Sequence, residues 1–320
     1  MSKIEAIIDR HKAHINQRSQ KGLGQRGVSL IELMVGIAIG LLVIAVAGGA
    51  LMVSRGISGT VSDANTIQQQ AAFAFRTIGL QLRQAGSLYL NLNPKSNTNT
   101  AIDLYAVPVA FETKAISSDA DRSFTPKVDT VSGSDNALNL GYRRYKETVY
   151  PEKSSDPATQ SLSRDCLGGP EDKDTADNNS YMRLESRFAL DGTDLRCTGT
   201  SGTSQVIVNN VANFRIRYLL QDSASTGSPK IRYVDATGVG ANWGRVTGVE
   251  VCLVLFGNER MSLPESNYTD CDGATKVDMS RATSTDMNGN ALGTARAGRI
   301  HMTFRNVYQI RSQGLVGSVL

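Results

Sequence analysis

Chemistry-bearing side chains are sparse in this chain of 320 residues. Past Gly27 there is a single histidine, His301, and no G-x-S-x-G accompanies it, so neither a nucleophile–base pair nor an oxyanion turn is spelled out. Cys166, Cys197, Cys252 and Cys271 include no C-x-x-C pair, and one histidine is too few to complete the usual zinc spacings. Glu171–Asp177 with Asn178-Asn179, and Asp286-Met287-Asn288-Gly289-Asn290, carry calcium-like oxygen donors. Neither has the full spacing or the terminal glutamate of an EF loop, so both read as Asx/Gly turns. Gly22-Leu23-Gly24-Gln25-Arg26-Gly27 satisfies G-x-G-x-x-G, yet no apolar strand precedes it, and a dinucleotide site needs strand, turn and helix together. The Thr/Ser/Gly stretch 198–204 reads as a mobile loop. No cofactor or metal is expected, and the chain does not read as an enzyme.

The elements around these residues are more telling. Leu33–Val53 is a run of 21 residues without a charge, about 30 Å long as a helix and long enough to cross a bilayer. Residues 1–27 hold six Lys/Arg and two Asp/Glu, which accounts for the whole net charge of +4. This positive flank places residues 1–27 on the cytoplasmic side and the chain after Val53 on the periplasmic or outer side. The remainder is charge-balanced, which speaks against a nucleic-acid surface. A cleaved secretory signal would use the A-x-A site Ala45-Val46-Ala47, but the basic region is long and Glu32 intrudes at the apolar edge. A plain signal anchor leaves the pattern around Gly27 unexplained.

That pattern, Gly27-Val28-Ser29-Leu30-Ile31-Glu32-Leu33 directly before the apolar run, closely resembles the processing site of type IV prepilins. The resemblance implies cleavage between Gly27 and Val28 by a prepilin peptidase/N-methyltransferase, N-methylation of Val28, and retention of the apolar helix. It also implies that Glu32, an expensive carboxylate at a membrane edge, pairs with the N-terminal amine of a neighbouring subunit during assembly. The alternative is a boundary residue that snorkels into the headgroups.

After Ser54–Gly59 a second helical pattern begins, with Ile67, Ala71, Phe75, Ile78, Leu82 and Ala85 on one stripe. Gln68, Gln69, Arg76, Gln81 and Arg83 lie outside it, and Gly86 is the expected stop. The apolar run contains no proline; Gly48-Gly49 is its weakest point. Residues 87–135 read as polar loops with short apolar pieces such as Tyr105–Phe111. Strands are expected at Ala137–Tyr142, Val206–Val208, Phe214–Leu220, Ile231–Val234, Val246–Phe256 and Ile300–Ile310. Ile300, Met302, Phe304, Tyr308 and Ile310 share one face of the last, with His301, Thr303, Arg305, Gln309 and Arg311 on the other. Val249, Val251, Leu253 and Leu255 likewise share a face. The fold class expected is α+β, a long N-terminal pilin-type helix with a membrane-spanning first half, packed on a mainly antiparallel sheet. Its divisions are a leader (1–27), a transmembrane half-helix (28–54), an outer half-helix (55–86) and a β-rich head (87–320).

The segment Phe75–Gly86, the strand entry Asp135–Leu140, Leu195-Arg196-Cys197 before Val206–Tyr218, and Tyr233–Ala236 leading through Trp243 to Val246–Phe256 occur in an order that resembles the PilW group of minor pilins. The resemblance implies a minor pilin that helps start a type IV pilus and enters it, the surface filament of adhesion and twitching. Its partners would be other minor and major pilins, the inner-membrane assembly platform and membrane lipid. It would be stored as a single-pass inner-membrane protein with a periplasmic head, then move to the pilus. A type II secretion pseudopilin of the J type shares the processing site, and a membrane-anchored periplasmic binding protein or enzyme is the reading from another class. All four cysteines fall on the oxidising side. Three connectivities are possible; Cys166–Cys197 and Cys252–Cys271 are preferred because each closes a loop-rich excursion.

Overall fold

The computed structural model describes residues 27–90, 109–111, 124–145, 147–150, 158–170, 183–222, 230–261 and 266–311. Gly22–Arg26, Tyr105–Pro108 and the acidic run 171–179 lie outside the described residues. The chain divides into two compact units, Met1–Arg55 and Gly56–Leu320.

The elements follow in chain order as helix α1 (Leu30–Gln84), β1 (Leu88–Leu90), β2 (Val109–Phe111), α2 (Pro126–Asp129), β3 (Val131–Gly133), β4 (Ala137–Arg143), β5 (Glu147–Val149) and β6 (Ala158–Gln160). Then come β7 (Arg183–Asp191), β8 (Asp194–Thr198), β9 (Ser204–Val208), β10 (Val211–Gln221), β11 (Ile231–Val234), α3 (Ala236–Val239) and a 3-10 turn at Trp243–Arg245. The chain continues through β12 (Val246–Phe256), β13 (Asn267–Thr269), β14 (Lys276–Asp278), α4 (Gly293–Arg296) and β15 (His301–Gln309).

In the first unit, α1 carries the apolar stretch Leu30–Met52, 23 residues with a mean hydropathy of 2.7 and none of its most apolar window buried. The helix runs unbroken through the small-residue stretch Ser54–Gly59, as the single long helix expected from the sequence does. Glycine lowers helix propensity by about 1 kcal/mol without forbidding a helix, and the long runs on either side propagate through it.

In the second unit, the helical stripe is Ile67, Ala71, Ala74, Ile78, Leu82 and Ala85, all buried. Ala74 takes the place expected of Phe75, which is only half-buried and packs at the edge of the core. Gln81 is also buried, against expectation. It lies three residues beyond Ile78 on the same helical face, and its side-chain oxygen accepts from Ser186 Oγ at 2.9 Å and Gln84 Nε2 at 2.8 Å. The helix ends at Gln84, and Gly86 follows with φ of 104°, a left-handed value suited to glycine. Gly86 then exchanges backbone hydrogen bonds with β4, its N–H donating to Gly141 O at 2.9 Å and its carbonyl accepting from Arg143 N at 2.8 Å.

Among the described residues, two larger antiparallel sheets form, where one was expected. One has the strand order β11-β10-β12-β15, the other β3-β4-β7-β8-β9. The second contains two strands expected from the sequence, β4 and part of β9, joined by β3 and the hairpin β7–β8, which the sequence pattern leaves obscure; the hairpin turns at Gly192-Thr193, and the buried positions of β7 are every second residue (Leu184, Ser186, Phe188). Ser186 breaks the apolar alternation, which hides the strand in a hydropathy reading. Both sheets and the helical stripe share one core, with Val249, Val251, Leu253 and Leu255 of β12 meeting it as expected.

The opposite face of β12 is buried as well. Cys252 and Val254 lie beneath a second apolar cluster with Tyr268, Cys271, Val277, Met279 and Leu292, all from the excursion between β12 and β15. Close approaches constrain two glycines. A Cβ on Gly79 would sit 2.7 Å from the Tyr308 ring, whose hydroxyl donates to Phe75 O at 2.7 Å, and a Cβ on Gly141 would run into the Asp129 carbonyl oxygen.

The structure joins Cys166 to Cys197 and Cys252 to Cys271, with Cα–Cα separations of 6.4 and 5.8 Å. The first ties the loop after β6 to β8; the second ties β12 to the turn after β13 and so holds the excursion on the sheet. Loops of this size, closed covalently, are stabilised by about 3–4 kcal/mol in a chain-entropy model. The unreduced full-length protein is therefore expected to show no reactive thiol and to yield these two linked peptide pairs on digestion. Reduction should lower the melting temperature of the β-rich unit by several degrees; two or more free thiols before reduction would contradict the pairing.

Candidate processing and assembly segment

Gly27, Val28 and Ser29 precede α1 as non-helical, solvent-exposed chain, and Val28 is 68% exposed. Nothing lies within 4 Å of where a Cβ on Gly27 would be, so that position is uncrowded. The helix start is built from Ser29-Leu30-Ile31-Glu32, the S-x-x-E pattern of a capping box. Ser29 Oγ accepts from Glu32 N at 3.2 Å, and Ser29 O accepts from Leu33 N at 3.1 Å. Glu32 stands in the first turn, where a carboxylate also complements the positive end of the helix dipole. Leu30 and Ile31 beside it are exposed, as is the apolar run that follows. Gly27, Val28 and Glu32 thus lie within one short stretch: an accessible peptide bond, a β-branched residue that becomes the new N-terminus if that bond is cut, and an acid one turn into the helix.

The other chemistry-bearing residues are brought into structural arrangements. His301 sits on the face of β15 expected to be polar, yet it is buried, because the excursion between β12 and β15 covers that face. Its ring stacks on Tyr268 at 4.8 Å and on Phe256 at 5.7 Å, and Nδ1 lies 2.9 Å from Arg299 O. Burial pushes its pKa down to about 4, so the ring is neutral at physiological pH. Asp286–Asn290 forms an Asx turn: Asp286 Oδ1 accepts from Asn288 N at 3.0 Å and Asn290 N at 2.9 Å, while Oδ2 faces Arg296 at 3.4 Å. Residues 198–204 are the turn between β8 and β9, closed by Gly199 N donating to Thr203 O at 3.0 Å.

Two polar residues of the helix are buried, Asp63, which the sequence reading leaves out, and Gln81, which it places on the exposed side. Asp63 accepts from Glu259 N at 2.8 Å, and Gln81 belongs to the network already described. Their spacing was the available signal: Asp63 lies four residues before Ile67 and Gln81 four before Ala85, each a polar position on an apolar stripe. On β12, Glu250 is nearly buried and faces Arg217 at 3.0 Å and Arg305 at 3.8 Å. A cleft of about 800 Å³ between the β3–β4 and β7–β8 turns contains Asp135 and Arg215, paired with each other at 2.8 Å.

The family model described as Type IV Pilus-assembly protein W matches residues 174–312, and the Prokaryotic N-terminal methylation motif matches residues 23–48. The chain is a PilW-like type IV pilin. The methylation motif spans the exposed Gly27–Glu32 stretch, and the W-type match runs across β7 to β15. No curated protein matches the sequence. Among solved structures it is similar to the type IV-like pilin TTHA1219 from Thermus thermophilus, with 11% identity, a TM-score of 0.28, and coverage of 57% of this chain and 83% of that one; a score that low assigns nothing by itself.

The His301 environment sets an acid limit. Its folded pKa of about 4 is below the ordinary value of 6.5, so the unfolded chain binds more protons between those values. This group therefore contributes stability that is fully present above about pH 6.5 and is lost as the pH falls toward 4. Melting temperatures measured across that range should decline, and His301→Phe, which preserves the stack, should flatten the decline. An unchanged pH slope in the variant would show that other groups set it.

Proposed function

We propose that this PilW-like chain is a minor pilin. It is cleaved after Gly27 by a prepilin peptidase, N-methylated on Val28, stored in the inner membrane through the apolar half of α1, and drawn into a type IV pilus whose assembly it helps to start. The observation that carries this reading is the coincidence of an exposed Gly27–Val28 pair, a capped helix start and an unburied 23-residue apolar stretch at the position of the methylation motif. The β-rich unit, held by two disulfides, is read as the periplasmic head, an assembly module in contact with neighbouring pilins and not a centre of catalysis. The head, transmembrane half and leader are assigned as 87–320, 28–54 and 1–27, with 55–86 as the outer half-helix.

Cleavage leaves an ammonium at Val28 near the positive end of a helix dipole, an unfavourable place for a cation. Glu32 is the acid available to offset it, within a subunit or from a neighbour, and we assign it the docking role. In a peptidase-competent strain the intact mass is expected to correspond to a chain beginning at N-methyl-Val28; a start at Gly48 or an uncut chain would refute the processing. Glu32→Ala and Glu32→Gln should both be cut and membrane-inserted but poorly incorporated into filaments. The glutamine variant separates the two functions of the residue, since Gln keeps the capping box but lacks the charge. Incorporation of Glu32→Gln at the wild-type level would mean that capping, not charge pairing, is what Glu32 supplies. Co-purification with secretion-system pseudopilins in place of pilus subunits would move the chain to the pseudopilin class.

A further inference from the structure

We infer that the Ser29 hydroxyl determines where α1 begins and thereby keeps the Gly27–Val28 bond in a cleavable, non-helical form. The inference rests on the processing reading above and deepens it by assigning a positioning residue to the cut.

The geometry is a competition for one donor. An α-helix starting one residue earlier would direct the Glu32 N–H to the carbonyl of Val28, since each N–H pairs with the carbonyl four residues before it. In the structure that N–H is taken by Ser29 Oγ at 3.2 Å, and the first backbone helix bond runs from Leu33 N to Ser29 O at 3.1 Å. A side chain that captures an orphan donor of the first turn terminates the helix at its own position. Val28 and Gly27 are then left outside the helix, non-helical and exposed.

That matters for hydrolysis. Water must add to the Gly27 carbonyl carbon as the C–N bond to Val28 breaks, leaving a carboxylate on Gly27 and an amine on Val28 that takes up a proton. A helix extended two residues upstream would tie the Gly27 carbonyl to Ile31 N and wrap the bond inside a turn, where an attacking group cannot approach it in line. The residues upstream resist such extension only weakly. Val28 is stiff at χ1 and glycine is a poor helix former, but a long apolar helix propagates readily into neighbours of modest propensity. The cap is the local feature that opposes it with a specific bond. Glu32, third in the helix after the cap, reinforces the same start.

The prediction concerns capping ability, not side-chain size. Full-length precursor in membranes, incubated with the prepilin peptidase, should be converted to mature chain at close to the wild-type rate when Ser29 is replaced by Thr or Asn, both capping residues of different shape. Ser29→Val, isosteric with the Thr variant, and Ser29→Ala should slow conversion about fivefold, the equivalent of about 1 kcal/mol at 1.4 kcal/mol per factor of ten. Membrane insertion and disulfide formation in the β-rich unit should be the same in all four variants, so a difference in rate reports on the cut alone. Equal rates for the Thr and Val variants, or an Asn variant as slow as Ala, would overturn the inference, because the peptidase would then be reading something other than the cap. If the wild-type precursor is not cut between Gly27 and Val28 at all, the processing reading itself falls, which is a separate and recognisable result.

Discussion

An apolar surface that its own unit cannot bury is the constraint on which this protein's organisation depends. Leu30–Met52 offers 23 residues of helix with no side chain of the unit packed around the most apolar window. In water such a surface is unfavourable by about 25 cal/mol per Å², so it favours transfer to lipid or to another apolar surface. The features at its start follow from this requirement. The helix must begin at a defined residue, because in a low-dielectric setting every unpaired backbone group is costly, and Ser29 supplies the missing acceptor. An acid at that edge is expensive unless it meets a partner, which is the physical basis of the docking role we propose for Glu32.

The second unit solves a different problem, how to make one strand the centre of a large polar-looped head. β12 is buried along nearly its whole length on both faces. One face meets the helical stripe and the companion sheet; the other is roofed by the excursion between β12 and β15. Among its described residues that roof contains short strands, turns and the four-residue helix α4, so its own backbone pairing is thin, and Cys252–Cys271 anchors it at the point where it crosses β12. Cys166–Cys197 does the same for the long loop after β6. In each place a covalent link adds to the limited apolar burial of a loop-rich segment.

Polar groups inside the head are spent on positioning. Asp63 and Gln81 tie the helix to backbone and side chains of the sheet connections, and Tyr142 donates its hydroxyl to Arg164 O in the same region, with burial raising its pKa. Tyr218 donates to Ser134 O at 3.0 Å while its ring meets Trp243 edge-on at 4.9 Å. Glu250 lies between two arginines. Buried polar groups of this sort, when satisfied, specify one packing among many of similar hydrophobicity. His301, the one side chain that invited a catalytic reading, is held neutral between two aromatic rings, which makes it part of the roof.

The sequence by itself determined the parts whose physics is local. Helix, cap and charge asymmetry around Gly27–Val53 depend on neighbours within a turn or two, and the strand limits Ile231–Val234 and Val246–Phe256 were legible because alternating or continuous apolar residues are bounded by turn residues. The tertiary structure decided what depends on distant partners. Whether Gln81 is exposed depends on Ser186, 105 positions away, and whether the polar face of β15 meets solvent depends on the excursion that folds over it. The hairpin of the companion sheet stayed hidden for the same reason: a strand such as β7, with glutamate and arginine between its buried residues and a serine among them, is defined by the strands that pair with it and by the core beneath, and neither is written in its own few residues.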